Sequence, residues 1–278
     1  MLTDHALAAA LATEAGRRLL RLRADRGFAD PRALKDTGDR ESHEYLVAEL
    51  AQHRSGDAVL SEEGRDDPAR LAADRVWIVD PLDGTREFGE DGRDDWAVHV
   101  ALWERGGLVA GAVALPAEGE TLCTTADGAA TLDVATSSSA PLRMRGLVDA
   151  GRIRVAVSRS RPPAFMRPLI DHLRDRHVEL EPVPIGSAGA KVAAVLRGKV
   201  DAYVHAGGQS EWDSAAPAAV ALAAGAHASR IDGAPLAYNQ RDPELPDILV
   251  CHPALAPTLL AGIRAVREAH HSDAKREH

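Results

Sequence analysis

Apolar residues at Leu7, Leu11, Ala15, Leu19 and Leu22 recur every three to four positions, the spacing that lines one face of a helix. Thr3 or Asp4 can cap this helix, which runs to about Arg23. Lys35-Asp36-Thr37-Gly38-Asp39 reads as a loop, and a second helix is expected from Asp39, as its cap, to His53. Ser42, Leu46 and Leu50 share a face of it. The period then shortens. Ala58 to Leu60 and Val76 to Val79 read as short buried strands. Trp96 to Trp103 alternates, with Val98, Val100 and Leu102 on one face. Glu104 to Gly107 is a hairpin turn, and Leu108 to Leu115 is the returning strand. Thr121 to Thr124 is a further strand, followed by a turn at Ala126 to Ala129. This part of the chain is an α+β layered pattern.

Thr136 to Leu147 has little pattern, and a boundary between two halves, 1–150 and 151–270, is expected near Ala150. Strands follow at Arg152 to Val157, at Val178 to Ile185 and at Lys199 to His205, with a last one at Asp247 to Val250. Two prolines in the second of these mark an edge. Helices alternate with them. They span Pro163 to Leu173, the stretch from Gly186 to Leu196, an Ala-rich segment from Asp213 to about Ala224, and Pro253 to Glu268. Asp213 stands where a helix cap would. The polar tail, 271–278, is expected to fray.

The strand Val76 to Val79 ends in Asp80-Pro81-Leu82-Asp83-Gly84-Thr85, with Pro81 expected to stop the strand and turn the chain. Two carboxylates three residues apart on a sharp turn can converge on one hard cation such as Mg²⁺, which takes oxygen ligands. Local turn chemistry alone also accounts for Asp, Pro and Gly there. Glu62-Glu63 lies at the end of the neighbouring strand, where α/β proteins often build a site. Adjacent residues point different ways, so one of that pair is expected as a ligand.

Composition narrows the choices. The chain has 278 residues, enough for one large domain or two packed halves. Aromatics are only 4%, so Ala, Val and Leu must build the core. A net charge of −9, with no interleaved basic and aromatic residues, argues against a nucleic-acid polymer as partner. The same acidity repels a phosphate unless metals are bound. Two cysteines and no CxxC pair fit a reduced, cytoplasmic setting. No signal peptide is evident, and Ala215 to Ala226 is too short to span a bilayer. Twelve scattered histidines without HExxH do not indicate zinc.

Three stretches could meet an anion. Arg17, Arg18, Arg21 and Arg23 crowd the end of the first helix, which also suits its dipole. Ser158-Arg159-Ser160-Arg161 gathers hydroxyls and guanidiniums at a strand end. Gly186-Ser187-Ala188-Gly189-Ala190-Lys191 opens a helix with small residues, which lets free N–H groups approach a phosphate, although such glycines also serve close packing. It is not a Walker loop.

Asp39, Glu62, Asp80, Asp83 and Asp213 thus recur at element ends. With Trp77-Ile78-Val79 before the Asp80 motif and Trp212-Asp213-Ser214-Ala215-Ala216 downstream, the set resembles the Mg²⁺-dependent, lithium-sensitive phosphatase superfamily of inositol monophosphatase, fructose-1,6-bisphosphatase and 3'(2'),5'-bisphosphate nucleotidase. The resemblance covers nearly the whole chain. Leu34 to Asp39, Val157 to Ser160 and Ser210 to Asp213 look most like actinobacterial nucleotidases of the CysQ type.

That resemblance implies an αβαβα sandwich of α+β and α/β parts. The N-terminal half would carry most metal ligands, and the C-terminal half Asp213 and the substrate contacts. It implies a cytoplasmic enzyme, monomer or homodimer. The reaction would remove the 3'-phosphate of 3'-phosphoadenosine 5'-phosphate, and possibly of its sulfated form, in sulfate assimilation. Two or three Mg²⁺ ions, replaceable by Mn²⁺ and inhibited by Li⁺, would be held by Glu62, Asp80, the Leu82 carbonyl, Asp83 and Asp213. Asp39 and Thr85 would orient the attacking water, with Glu62 also catalytic and Asp36 open as a second residue in Asp39's role. Ser158, Arg159, Gly186, Ser187, Lys191 and Asp213 would contact substrate. The shared motif also suits an inositol-1-phosphate or fructose-1,6-bisphosphate phosphatase, and a non-catalytic Mg²⁺-binding protein of the same fold is a third reading.

Overall fold

The computed structural model describes residues 2–146, 149 and 151–274, with side chains through residue 269. Thr3 caps α1 (Asp4–Arg26), its side chain accepting from the Ala6 N–H. The second helix differs from expectation. α2 spans Pro31–His53, capped by Asp30 with Pro31 in its first turn, so residues 35–39 lie inside it. Gly38 does not break this helix because its missing side chain is what lets the helix sit down. A Cβ there would lie 2.8 Å from the Phe88 ring and 3.1 Å from Leu82.

The first sheet runs in chain order: β1 (Ala58–Ser61), β2 (Arg75–Asp83), β3 (Ala97–Glu104), β4 (Gly107–Leu115), β5 (Glu120–Thr125), β6 (Gly128–Asp133) and β7 (Ser139–Leu142). Only the β1–β2 pair is parallel. β6 and β7 occupy stretches where the sequence pattern is weak, since both are short and partly exposed. The second sheet contains β8 (Arg152–Ser158), β9 (Glu179–Ile185), β10 (Ala202–Ala206), β11 (His227–Ser229) and β12 (Asp247–Cys251). Its order is β11-β12-β10-β8-β9, so the proline-bearing β9 is an edge as its composition requires. The three-residue β11 is too short to announce itself by alternation.

The remaining helices are α3 (Thr85–Phe88), α4 (Met166–Arg174), α5 (Ala188–Leu196), α6 (Glu211–Ala223) and α7 (Ala256–Ala274). Five layers result. Leu7, Leu11, Ala15 and Leu19 of α1 share one core with Leu34 and Leu46 of α2 and with Val98, Val100 and Leu102 on one face of β3. The other face of that sheet packs on α5 and α6, which lie between the two sheets. α4 and α7 cover the far side of the second sheet. Each fully buried Leu or Val contributes about 1.5–3 kcal/mol relative to exposure. Small residues let the middle layer approach closely: a Cβ on Gly111 of β4 would come within 2.7 Å of Ala219 on α6.

α7 reaches Ala274, so the helical segment extends into the tail that was expected to fray. The expected boundary at Ala150 and the last residues of the tail, 275–278, lie outside the described residues. No described helix is long and apolar enough to cross a membrane.

Candidate active site

The site grows from an irregularity in β2. Asp80 lies opposite His99 and Asp83 opposite Ala97, so one extra residue is accommodated between them. In a regular strand residues three apart face opposite sides, and this bulge brings Asp80 and Asp83 to the same side. Pro81 therefore sits within the bulge, and β2 continues to Asp83 instead of ending at Pro81. The Asp80 carboxylate accepts the Leu82 N–H at 3.0 Å, and Ser42 of α2 donates to the Pro81 carbonyl at 2.7 Å, which fixes the turn from both sides. Gly84 then takes φ +83°, a left-handed conformation that leads into α3 and places Thr85 in its first turn.

Asp39 reaches this turn from α2, one helical turn before Ser42. Its carboxylate lies 3.4 Å from the Thr85 hydroxyl, which also faces the Leu82 carbonyl at 3.1 Å. Asp36 is exposed and lies 3.8 Å from Arg32 on the helix surface. Asp213 comes from the other half of the chain. It is in the first turn of α6, three residues after the cap Ser210, whose N–H it accepts at 2.6 Å. It is thus not itself the cap. One carboxylate oxygen each from Asp80, Asp83 and Asp213 lies within 4.8 Å of the others. Glu62, expected as a further ligand, is exposed and lies outside this triad, but its carboxyl is close enough to bond Asp80 and to feel the charges of Asp213 and Asp83.

Charge crowding is severe. Burial and then Asp213 push the Glu62 carboxyl up to about 7. Burial and then Asp83 push Asp213 up to about 6. Burial, with help from the Glu63 charge, pushes Asp39 up to about 7. Asp80 is raised well above the usual carboxylate range by burial and by Glu62 and Asp83. Asp83 is different: burial works against its charge, but His99, Lys191 and the Gly189 N–H together hold it below the ordinary value. The Asp80, Asp83 and Asp213 carboxylates, two buried and one half-buried, offer an all-oxygen set that fits a hard divalent cation of the Mg²⁺ type.

Acids whose folded pKa is raised bind more protons folded than unfolded between about pH 4 and 7, so folded stability falls as pH rises through that window. In EDTA the melting temperature is expected to drop by on the order of 5 °C from pH 5.5 to pH 8. Mg²⁺, which replaces the protons, should restore it at pH 8 and do little at pH 5.5. Thermal unfolding at the two pH values, with and without Mg²⁺, checks this.

Beside the acids opens a cleft of about 240 Å³ lined by Asp83, Thr85 and Asp213 together with Ser158, Arg159, Arg161, Gly186, Ser187 and Lys191. Lys191 is buried, donates to the Gly186 carbonyl and lies 5.2 Å from the Tyr203 ring centre. Arg159 is paired with Glu87 at 2.7 Å and with Glu90 at 3.2 Å. Ser158 accepts the Arg161 N–H at 3.2 Å. Four of the N–H groups around the start of α5 already have acceptors. Gly186 and Ser187 donate to Asp95, Gly189 donates to Asp83, and Ala190 donates to the Ser187 hydroxyl. The basic end of α1 is likewise occupied: Arg17, Arg18 and Arg21 face Glu14, and Arg23 donates to the Arg93 and Glu90 carbonyls.

Sequence patterns gave Arg70, Glu211 and Asn239 no role in the site. Arg70 is 1% exposed and binds Asp66 at 2.6 Å, the Asn239 side-chain oxygen at 2.8 Å and the Gln240 carbonyl at 2.9 Å. Glu211 of α6 accepts the Asn239 and Gln240 N–H groups, each at 2.7 Å. This brace ties the connection that follows Glu62 to the turn of α6 that carries Asp213. Its only sequence signal is an arginine in a polar linker, which is ordinarily solvated.

With this geometry the comparisons with known proteins agree. A 3'-phosphoadenosine 5'-phosphate phosphatase of Mycobacterium tuberculosis is 54% identical over 255 residues, covering 90% of this chain and 89% of that protein. The structure of Mycobacterium tuberculosis SuhB superposes with a TM-score of 0.74 at 28% identity, covering 94% of this chain and 96% of that one. CysQ from Bacteroides thetaiotaomicron, described as a bacterial member of the inositol monophosphatase family, superposes with a TM-score of 0.76 at 29% identity, covering 88% and 96%. The inositol monophosphatase family model matches residues 5–268, and the chain belongs to that family.

Proposed function

We propose that this protein is a Mg²⁺-dependent phosphatase that removes the 3'-phosphate of 3'-phosphoadenosine 5'-phosphate. The observation that carries the reading is the 54% identity, over nine-tenths of the chain, to a mycobacterial enzyme of that name. The acid cluster supplies the chemistry such a reaction needs, and the reading places the enzyme in sulfate assimilation in the cytoplasm. Glu62, Asp80, Asp83, Asp213 and the Leu82 carbonyl would hold two or three Mg²⁺ ions, with Mn²⁺ able to substitute and Li⁺ inhibitory. Bound metals would neutralise charge on the phosphoryl group and lower the pKa of a bound water.

The chain's own residues do the rest. Asp39 and Thr85 form a pair that can hold a water in line with the phosphorus and take up its proton. Ser158, Arg159, Gly186, Ser187 and Lys191 line the cleft in which the nucleotide would lie, with Asp213 at the boundary between substrate and metal. A bisphosphate suits a cleft that contains Arg159, Arg161 and Lys191 as well as acids. Whether monomer or homodimer, the protein would need no macromolecular partner for this reaction.

Steady-state phosphate release with Mg²⁺ tests the proposal. The expected kcat/KM for 3'-phosphoadenosine 5'-phosphate exceeds those for inositol-1-phosphate and fructose-1,6-bisphosphate by roughly a hundredfold, or about 2.7 kcal/mol. Equal or reversed values would reject the nucleotide reading. No release from any of the three would favour a binding protein of the same fold.

A further inference from the structure

His99 is fully buried in the middle of β3, in a run of apolar residues where a polar ring costs stability unless it has partners. Its two ring nitrogens face two different elements. Nε2 lies 3.1 Å from Asp83 Oδ2 at the end of β2. Nδ1 lies 3.2 Å from the carbonyl of Trp212, the residue before Asp213 in α6. Gly189 of α5 completes the arrangement. Its N–H donates to the same Asp83 Oδ2 at 2.8 Å, and a Cβ on it would sit 2.5 Å from His99 Nε2. His99 therefore stands where β2, α5 and α6 meet, in contact with one acid of the cation site and with the backbone next to another.

This geometry divides the labour of the Asp83 carboxylate. Oδ2 faces a ring nitrogen and a backbone N–H, both supplied by the protein. That leaves Oδ1 for a cation. We propose that His99 is a positioning residue: it holds Asp83 in the orientation that presents Oδ1, and it sets the start of α6 so that Asp213 meets the same cation. This rests on the cation-site reading. A histidine that merely fills the core would be replaceable by an apolar side chain of similar reach with no loss of metal binding. Groups that orient a ligating carboxylate typically change metal affinity by about 10–100-fold when removed.

The test uses two variants of equal length. H99Q keeps a side-chain N–H, and H99M has none. Mn²⁺ binding to the full-length protein is measured at one fixed pH from the electron paramagnetic resonance signal of the free ion, alongside the melting temperature in EDTA. The expected result is a loss of about 10–100-fold in Mn²⁺ affinity for H99M and recovery of most of it in H99Q. Both should melt within a few degrees of each other. If H99M fails to fold, H99L and H99N, a second pair of matched size, take its place. Wild-type affinity in the apolar variant, or equal losses in both members of a pair, would overturn the role of His99 alone. A wild-type protein that leaves Mn²⁺ free would overturn the cation site as well.

Discussion

Asp83→Asn or Asp213→Asn is expected to lower kcat/KM for phosphate release by on the order of 10³-fold or more, about 4 kcal/mol, with the fold intact. At Asp83 one oxygen already receives the Gly189 N–H and faces His99. An asparagine whose oxygen keeps the Gly189 N–H must turn its NH₂ group toward the cation, and the opposite rotamer sets NH₂ against that N–H. Either way one negative ligand is lost from a cluster built on carboxylates. At Asp213 an asparagine oxygen can still accept the Ser210 N–H, so α6 keeps its start. Removal of one charge from a repelling cluster should leave metal-free D213N at least as stable as the parent at pH 8. Initial rates and melting curves measured on the same preparations decide the matter. Turnover within tenfold of the parent in both variants would reject the assignment.

Asp39→Asn and Thr85→Ala should each lower kcat by about 10²–10⁴-fold while leaving KM within a few-fold. The Thr85 hydroxyl has one proton and two neighbouring acceptors, the Asp39 carboxylate at 3.4 Å and the Leu82 carbonyl at 3.1 Å. A threonine is a poor base by itself, and it becomes useful only when a carboxylate can receive what it passes on. Burial pushes the Asp39 carboxyl up to about 7, near the working pH, which suits a group that takes up a proton during turnover. Since the two act as one unit, the double variant should lose little more than the worse single variant. Multiplicative losses would mean independent roles, and a large rise in KM at constant kcat would mean that they bind substrate instead.

Much of this molecule is legible along the chain. The α1 stripe, the alternation of β3 and the proline-marked edge strand β9 are local patterns, because helix and strand each impose a short repeat on burial. The acid-bearing turn at Asp80 to Thr85 is local as well. Its neighbour β1, with Glu62 just beyond, is the adjacent strand the sequence suggested, whereas their parallel pairing came only from the fold. Where local rules failed, packing had overridden them. Gly38 resembles a helix breaker until Phe88 and Leu82 are seen against it, and Pro81 resembles a strand end until the bulge is seen to absorb it.

The sequence by itself determined most of the long helices and strands and the residue types of the candidate site: carboxylates near element ends and a hydroxyl beside two of them. Only the tertiary structure decided which groups meet and which are already spent. Asp39 and Thr85, and likewise Asp83 and Gly189, are far apart in sequence, and no periodicity encodes such encounters. The N–H groups of Gly186, Ser187, Gly189 and Ala190 look free in the chain and are occupied in the fold. His99 looks like one more core residue until both of its nitrogens are placed. The physical reason is that hydrogen bonding and charge depend on separation in space, whereas a sequence records only separation along the chain.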